Sequence, residues 1–258
     1  MARLTGLQMN IDWEDKSANH QRVEGMLAAQ RPEPGTLVVL PEMFATGFSM
    51  RAAQIDDTES RETQVFLADL ARKYQIWLHA GLVRQRADGR PTNQSLVYDP
   101  EGVEITSYEK IFPFAPGGEL ENYAAGDRIV LYQWAGFTVA SFICYDLRFP
   151  EIFRMAAARG ANLFIVIASW PDRRRLHWVR LLQARAIENQ AYVLGVNRSG
   201  TDPFLSYAGD SMLVDWHGEV VSGAGAEDCL VTGLLDEEGL AQYRTALPFL
   251  KDMRPVTG

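Results

Sequence analysis

Cysteine is scarce in this sequence: Cys144 and Cys229 are the only two among 258 residues. Two thiols do not make a secreted disulfide framework, so each is read as free, either as inert filler or as a reactive group. Long apolar runs are absent, and none approaches the roughly 18 residues of a membrane span. The opening segment Met1–Asn10 turns polar too soon for a signal peptide, so the expected location is the cytoplasm. Positive charge is in deficit, with 25 Lys and Arg against 33 Asp and Glu and a net charge of −8. That balance argues against nucleic acid or an anionic membrane as partner. Histidine is limited to His20, His79, His177 and His217. None has the spacing of a zinc site, so no metal is expected. Walker-type, G-x-G-x-x-G and G-x-S-x-G segments are also missing, which removes the usual phosphate, dinucleotide and serine-hydrolase readings. No Pro/Gly/Ser-rich linker and no repeat divides the chain, so residues 1–258 are read as a single domain able to bury a large core.

What is present is an alternation of short apolar runs with helical patterns. Leu4–Met9, Thr36–Leu40, Ile76–Val83, Ser95–Tyr98 and Val103–Tyr108 read as strands, rich in β-branched and aromatic residues. Ile129–Gln133, Phe137–Ile143, Leu163–Ala168, Tyr192–Val196, Asp210–Asp215, Glu219–Ser222 and Leu230–Leu234 continue the series. Phe137–Ile143 and Leu163–Ala168 are apolar at nearly every position, which predicts cover on both faces. Helices are predicted over Ser17–Gln30, Arg61–Tyr74, Pro150–Arg159 and Leu176–Gln190. In the last, the apolar stripe runs through Leu176, Val179, Leu182 or Gln183, and Ala186 or Ile187. Many strands with few, spaced helices suggest two packed sheets with helices outside. The pattern alone also admits one doubly wound sheet.

Three strand ends carry candidate chemistry. Cys144 follows the strand Phe137–Ile143 and precedes the helix that opens at Pro150. Backbone N–H groups and a helix N-terminus at such a turn favour thiolate and offer donors to an oxyanion. The alternative is a small buried hydrophobe. Glu42, in Leu40-Pro41-Glu42-Met43-Phe44, is wrapped in apolar neighbours. Desolvation there would raise its pKa and suit a general base, whereas a plain turn-capping glutamate is the alternative. Lys110 sits between Tyr108 and Ile111-Phe112-Pro113-Phe114. If buried it needs a carboxylate to stay charged, and Glu119 is the candidate partner. Otherwise Lys110 is a solvated strand tip and Glu119 an exposed loop acid. Arg148 and Glu151 read as an ion pair at a helix start, and Cys229 as a packing residue at a strand start.

Taken in order, Leu40–Phe44, Glu109–Phe112 and Cys144-Tyr145-Asp146-Leu147-Arg148-Phe149-Pro150-Glu151 resemble the three motifs of the nitrilase, or carbon–nitrogen hydrolase, superfamily. The likeness continues through Ala168–Pro171, Ala184–Gln190, Gly195–Arg198 and Tyr207–Ser211, nearly the whole chain. The resemblance implies a four-layer α-β-β-α sandwich, a homodimer, and neither cofactor nor metal. It implies Cys144 as nucleophile, Glu42 as general base, Lys110 and the Tyr145 N–H as oxyanion donors, and Glu119 as second glutamate, with Glu121 as its rival. The tail Tyr243–Phe249 is similar to the segment that packs on the partner subunit.

Within that family the chain most resembles bacterial ω-amidases, which hydrolyse the terminal amide of α-ketoglutaramate and similar short dicarboxylic monoamides. Phe112-Pro113-Phe114 departs from the His-Leu-Phe of many relatives. A substrate of this class carries a distal carboxylate, which an arginine would clamp. Arg173 is the candidate, against a solvated charge beside Arg174 and Arg175. Trp170, Phe48 and Phe114 are candidate pocket walls. An N-carbamoyl or aliphatic amidase, a non-catalytic scaffold and a redox-sensing thiol are the rival readings.

Overall fold

A computed structural model describes residues 1–254; the last four positions of the expected domain lie outside the described residues. In chain order the strands are β1 (Ala2–Gln8), β2 (Leu37–Val39), β3 (Trp77–Gln85), β4 (Pro91–Tyr98), β5 (Glu104–Glu109), β6 (Leu131–Trp134) and β7 (Phe137–Ile143). They continue as β8 (Leu163–Ala168), β9 (Tyr192–Asn197), β10 (Ser199–Thr201), β11 (Ser206–Ala208), β12 (Met212–Val214), β13 (Val220–Gly223) and β14 (Cys229–Leu235). The helices are α1 (Lys16–Gln30), α2 (Ala52–Ile55), α3 (Glu62–Tyr74), α4 (Glu119–Asn122), α5 (Pro150–Ala158), α6 (Arg175–Asn189) and α7 (Glu237–Ala246).

Two six-stranded sheets form, in the orders β14-β1-β2-β3-β4-β5 and β13-β12-β9-β8-β7-β6. Two sheets rather than one doubly wound sheet therefore resolve the open alternative. Strand periodicity explains the layering. On β2, Leu37 and Val39 join the core shared with the second sheet, whereas Val38 packs with Val23 and Leu27 of α1 and Leu67 and Leu70 of α3. Helices α5 and α6 cover the other outer face through Phe153, Trp178 and Leu182. The result is an α-β-β-α sandwich. Strand β8 is buried at all six positions and β7 at six of seven, as their continuous apolar character predicts.

Several boundaries differ from the sequence reading. Strand β4 starts at Pro91, four residues before the expected Ser95, because Thr92, Asn93 and Gln94 are polar yet paired with β3. The run read over Asp210–Asp215 keeps only Met212–Val214 as a strand. The hairpin β10–β11 and helices α2, α4 and α7 had no sequence prediction. In α6 the buried stripe is rotated: Trp178, Leu182, Arg185, Ala186 and Asn189 are buried, whereas Leu176 and Ile187 are 65% and 50% exposed. Arg185 turns inward because its guanidinium donates to the Leu147 carbonyl at 2.7 Å, under the turn that carries Cys144.

Glycine matters most where backbone approaches backbone. A Cβ on Gly81 of β3 would lie 2.7 Å from both Glu42 Cα and Met43 N. Gly81→Ala is therefore expected to displace Glu42, costing about 1–3 kcal/mol of stability and most of the activity. A denaturant melt and a rate assay on the same preparation check this; unchanged values in both would refute it.

Candidate active site

Strand ends from both sheets converge on one place. Glu42 follows β2, Lys110 directly follows β5, and Cys144 directly follows β7. Side chains at the carboxyl ends of strands are free of the ladder and can face a crevice there. Two residues hold unusual backbone to do so: Met43 at φ 46° and Cys144 at φ 47°. A side chain in the left-handed region costs energy and persists only where its surroundings impose it.

Lys110 is 1% exposed, and Glu42 and Glu119 are fully buried. The Lys110 Nζ donates to Glu42 Oε1 at 2.9 Å and to both Glu119 oxygens at 2.8 and 3.1 Å. Burial pulls the Lys110 pKa down, but the charges of Glu119 and Glu42 outweigh it and hold the ammonium firmly charged. Glu121, the rival for the second position, is exposed in α4. The short helix turns Glu119 inward, where it also accepts from the Phe114 N–H.

Two further groups join the cluster that sequence reading did not assign. Asn93 Nδ2 donates to Glu42 Oε1 at 2.7 Å and to Glu119 Oε1 at 2.9 Å. It thus spends both amide hydrogens tying the two carboxylates together. The Ser169 N–H donates to Glu42 Oε2 at 2.8 Å. Asn93 was hidden because its polar run reads as a turn; a period-two continuation back from Ser95 is the one signal that would place it on the strand.

Cys144 opens a short 3-10 turn, Cys144–Arg148. Asp146, fully buried, pins that turn by accepting from the N–H of Ile143 and of Phe112, each at 2.9 Å, and from the Tyr108 hydroxyl at 2.7 Å. It therefore ties the cysteine turn to the segment after Lys110. Burial pushes the Asp146 carboxyl up to about 7. The expectation that the turn favours thiolate is corrected here. Burial raises the Cys144 thiol well above its ordinary value, and the charge of Glu42 adds to this, with Lys110 and the Ser169 N–H opposing. One short turn supplies too little positive potential against desolvation. Alkylation of Cys144 by iodoacetamide is accordingly expected to run slower at pH 7 than that of a free thiol and to climb as pH rises. Rates equal to free cysteine at pH 7 would contradict this.

The pocket above Cys144 is lined by Phe48, Phe114, Tyr145, Trp170, Arg148 and Arg174 among others. Three of the four expected wall and clamp residues lie here: Phe48, Phe114 and Trp170. Arg173, the expected clamp, faces a neighbouring cavity instead, and its neighbour Arg174 takes the place in the pocket. Arg148 does not pair with Glu151. Its guanidinium lies over the Trp170 ring at 4.6 Å and approaches His177 Nδ1 at 3.3 Å. Arg174 lies over the Phe114 ring at 5.2 Å. Burial lowers the Arg174 pKa, and repulsion from Arg173 and Arg148 adds to that; the guanidinium stays charged all the same. Neither Arg148 nor Arg174 has a carboxylate partner among the described residues.

A sandwich that sets a thiol in a pocket, with a buried acid–amine–acid cluster close enough for its charges to act on that thiol, is the architecture of an enzyme. The chain belongs to the carbon–nitrogen hydrolase family, whose model matches residues 3–245. It is 32% identical over 249 residues to the 2-oxoglutaramate amidase of Bacillus subtilis (strain 168), covering 96% of each chain. It is 34% identical over 252 residues to the omega-amidase YafV of Escherichia coli (strain K12), covering 97% of this chain and 96% of that one. Among solved structures, XC1258 from Xanthomonas campestris is similar with a TM-score of 0.92 at 30% identity. The match spans 100% of this chain and 98% of that one, a CN-hydrolase superfamily protein with an arsenic adduct in its active site.

Proposed function

We propose that this carbon–nitrogen hydrolase is an ω-amidase, releasing ammonia from the terminal amide of short dicarboxylic monoamides such as α-ketoglutaramate. The observation that carries the reading is the pocket itself, where Cys144 shares one small chamber with two guanidiniums that no carboxylate among the described residues neutralises. A substrate with an amide at one end and a carboxylate at the other complements both. The relatives called 2-oxoglutaramate amidase and omega-amidase support the same substrate class.

In the proposed mechanism Glu42 takes the Cys144 proton as the sulfur attacks the amide carbon. The resulting oxyanion is held by the Lys110 ammonium and the Tyr145 N–H, which lies in the first turn after Cys144 and has no partner within that turn. Glu42 returns the proton to the nitrogen, the C–N bond breaks and ammonia leaves, giving a thioester. Glu42 then takes a proton from water, whose oxygen attacks the thioester carbon. Collapse breaks the C–S bond, restores the thiol and releases the carboxylic acid. Glu119 and Asn93 keep Lys110 and Glu42 in register throughout. The raised thiol pKa suits this sequence, because the proton then moves only as the attack proceeds. Two copies of the chain, paired through the segment around Tyr243–Phe249, complete the proposal.

Ammonia release from α-ketoglutaramate and succinamate, beside N-carbamoyl amino acids, a nitrile and neutral aliphatic amides, tests the reading. The dicarboxylic monoamides should be the preferred substrates, and Cys144→Ala should remove the activity. Activity confined to carbamoyl compounds or neutral amides would overturn the substrate. Arg174→Ala is expected to raise KM for succinamate about tenfold or more, the loss of one charge-assisted contact, with kcat changed far less. A fall in kcat alone would argue against a clamp.

A further inference from the structure

Next to the Cys144 pocket, and sharing its Phe48, Phe114 and Leu205 walls, lies a second cavity of about 520 Å³. That volume is within the roughly 300–1,000 Å³ of small-molecule sites. Its outer wall is aromatic, with Trp13, Phe204 and Tyr207. Phe204 is 75% exposed and meets the Trp13 ring edge-on at 5.7 Å between centroids, so it presents apolar surface without protein cover. The charged groups here are largely committed. Arg51 donates to Glu14 through Nε at 2.8 Å. Asp202 accepts from the N–H groups of Phe204 and Leu205 and from the Tyr207 hydroxyl. Arg173 is different, with no ion-pair or hydrogen-bond partner for its side chain among the described residues. The cavity thus offers apolar walls, three of them shared with the Cys144 pocket, and one uncommitted guanidinium, that of Arg173.

We infer that this cavity is a second acid-reading subsite and that the enzyme also hydrolyses long-chain dicarboxylic monoamides. The apolar spacer lies between Phe48, Phe114 and Trp13, and the distal carboxylate meets Arg173. The inference rests on the amidase reading of the same site and extends its substrate class. Short monoamides end at Arg174 and Arg148, and long ones pass them to end at Arg173. Intermediate lengths fit neither, since their carboxylate is left among aromatic side chains where a charge is unpaired and poorly hydrated. Each methylene of a long spacer removes apolar surface from water, which offsets the weakness of a solvent-exposed ion pair. The bond changes are those already given: C–N breaks with loss of ammonia, then the thioester is cleaved by water.

The test is a chain-length series running from succinamate through glutaramate, adipamate and suberamate to sebacamate. In the wild-type enzyme kcat/KM should pass through a minimum at intermediate length and recover toward sebacamate. Arg173→Ala should lower the sebacamate-to-succinamate ratio of kcat/KM about two- to fivefold, the worth of an exposed ion pair, Trp13→Ala should also lower it, and Arg174→Ala should raise it. A steady decline with length, or an Arg173→Ala ratio equal to wild type, would overturn the subsite. Failure to hydrolyse any monoamide would instead sink the amidase reading, so binding is measured separately. Calorimetry of sebacamate with Cys144→Ala protein should give an affinity that a second substitution, Arg173→Ala, weakens about two- to fivefold. No heat of binding, or binding indifferent to Arg173, overturns the subsite whatever the turnover.

Discussion

Glu42→Gln is expected to lower kcat for ammonia release roughly 10²–10⁴-fold, the usual worth of a positioned general base, while the protein stays folded. Glutamine keeps the shape but cannot take the thiol proton. The wild-type carboxylate also accepts from three donors, Asn93, Lys110 and the Ser169 N–H. An amide offers one acceptor oxygen to that set and turns its own NH2 toward the rest. Burial, the largest cause, and the Glu119 charge still raise the Cys144 thiol once the Glu42 charge is gone, so the variant should hold its sulfur protonated near neutrality. Its residual rate should then rise with pH where the wild type has levelled off. Adding Cys144→Ala to Glu42→Gln should cost far less than the product of the two single losses, since both act in one step. A Glu42→Gln enzyme within about threefold of wild type would remove Glu42 from the mechanism.

Lys110→Met is expected to abolish activity and to destabilise the fold by about 3–5 kcal/mol, the cost of leaving buried carboxylates without their cation. For a chain of this size that is a fall in melting temperature of roughly 6–20 °C. The reason lies in the geometry. Glu42 and Glu119 are both fully buried, and Lys110 is the only cation within hydrogen-bond reach of either among the described residues. Adding Glu119→Gln to Lys110→Met should recover part of the stability, because one orphaned charge is gone, and none of the activity. The distinction between the two readouts matters: a structural lysine would give the stability loss alone once activity is corrected for the folded fraction. A Lys110→Met protein that melts with the wild type would show that the cluster is not the buried ion network described.

The parts of this site legible in the sequence are those that local rules control. An apolar run of strand length ends where a polar residue appears. Glu42, Lys110 and Cys144 each stand at such an end, so their exposure to a common crevice follows from strand geometry. Motif order added the roles. The same local rules gave β7 and β8 and the helices α1, α3, α5 and α6 nearly to their limits. They misjudged the buried face of α6, because there the inward residues are Trp178, Arg185 and Asn189, chosen by partners rather than by hydropathy. They missed α7, whose acidic first turn and sparse apolar content leave no stripe to read.

What the sequence by itself determined is therefore the run of buried strands with helices between them and the three side chains at strand ends; that the strands form two packed sheets was decided by the tertiary structure. The tertiary structure alone decided which groups hold those side chains. Asn93 reaches Glu42 across 51 positions of chain and Ser169 reaches it across 127. It decided Glu119 over Glu121 as the partner of Lys110 through the phase of one helical turn, and Arg174 over Arg173 in the Cys144 pocket by the same means. It also reversed the expected shift of the Cys144 thiol. Hydropathy and propensity act over a few residues, whereas desolvation and hydrogen bonding depend on which distant segments close around a group, and that is set only when the two sheets pack.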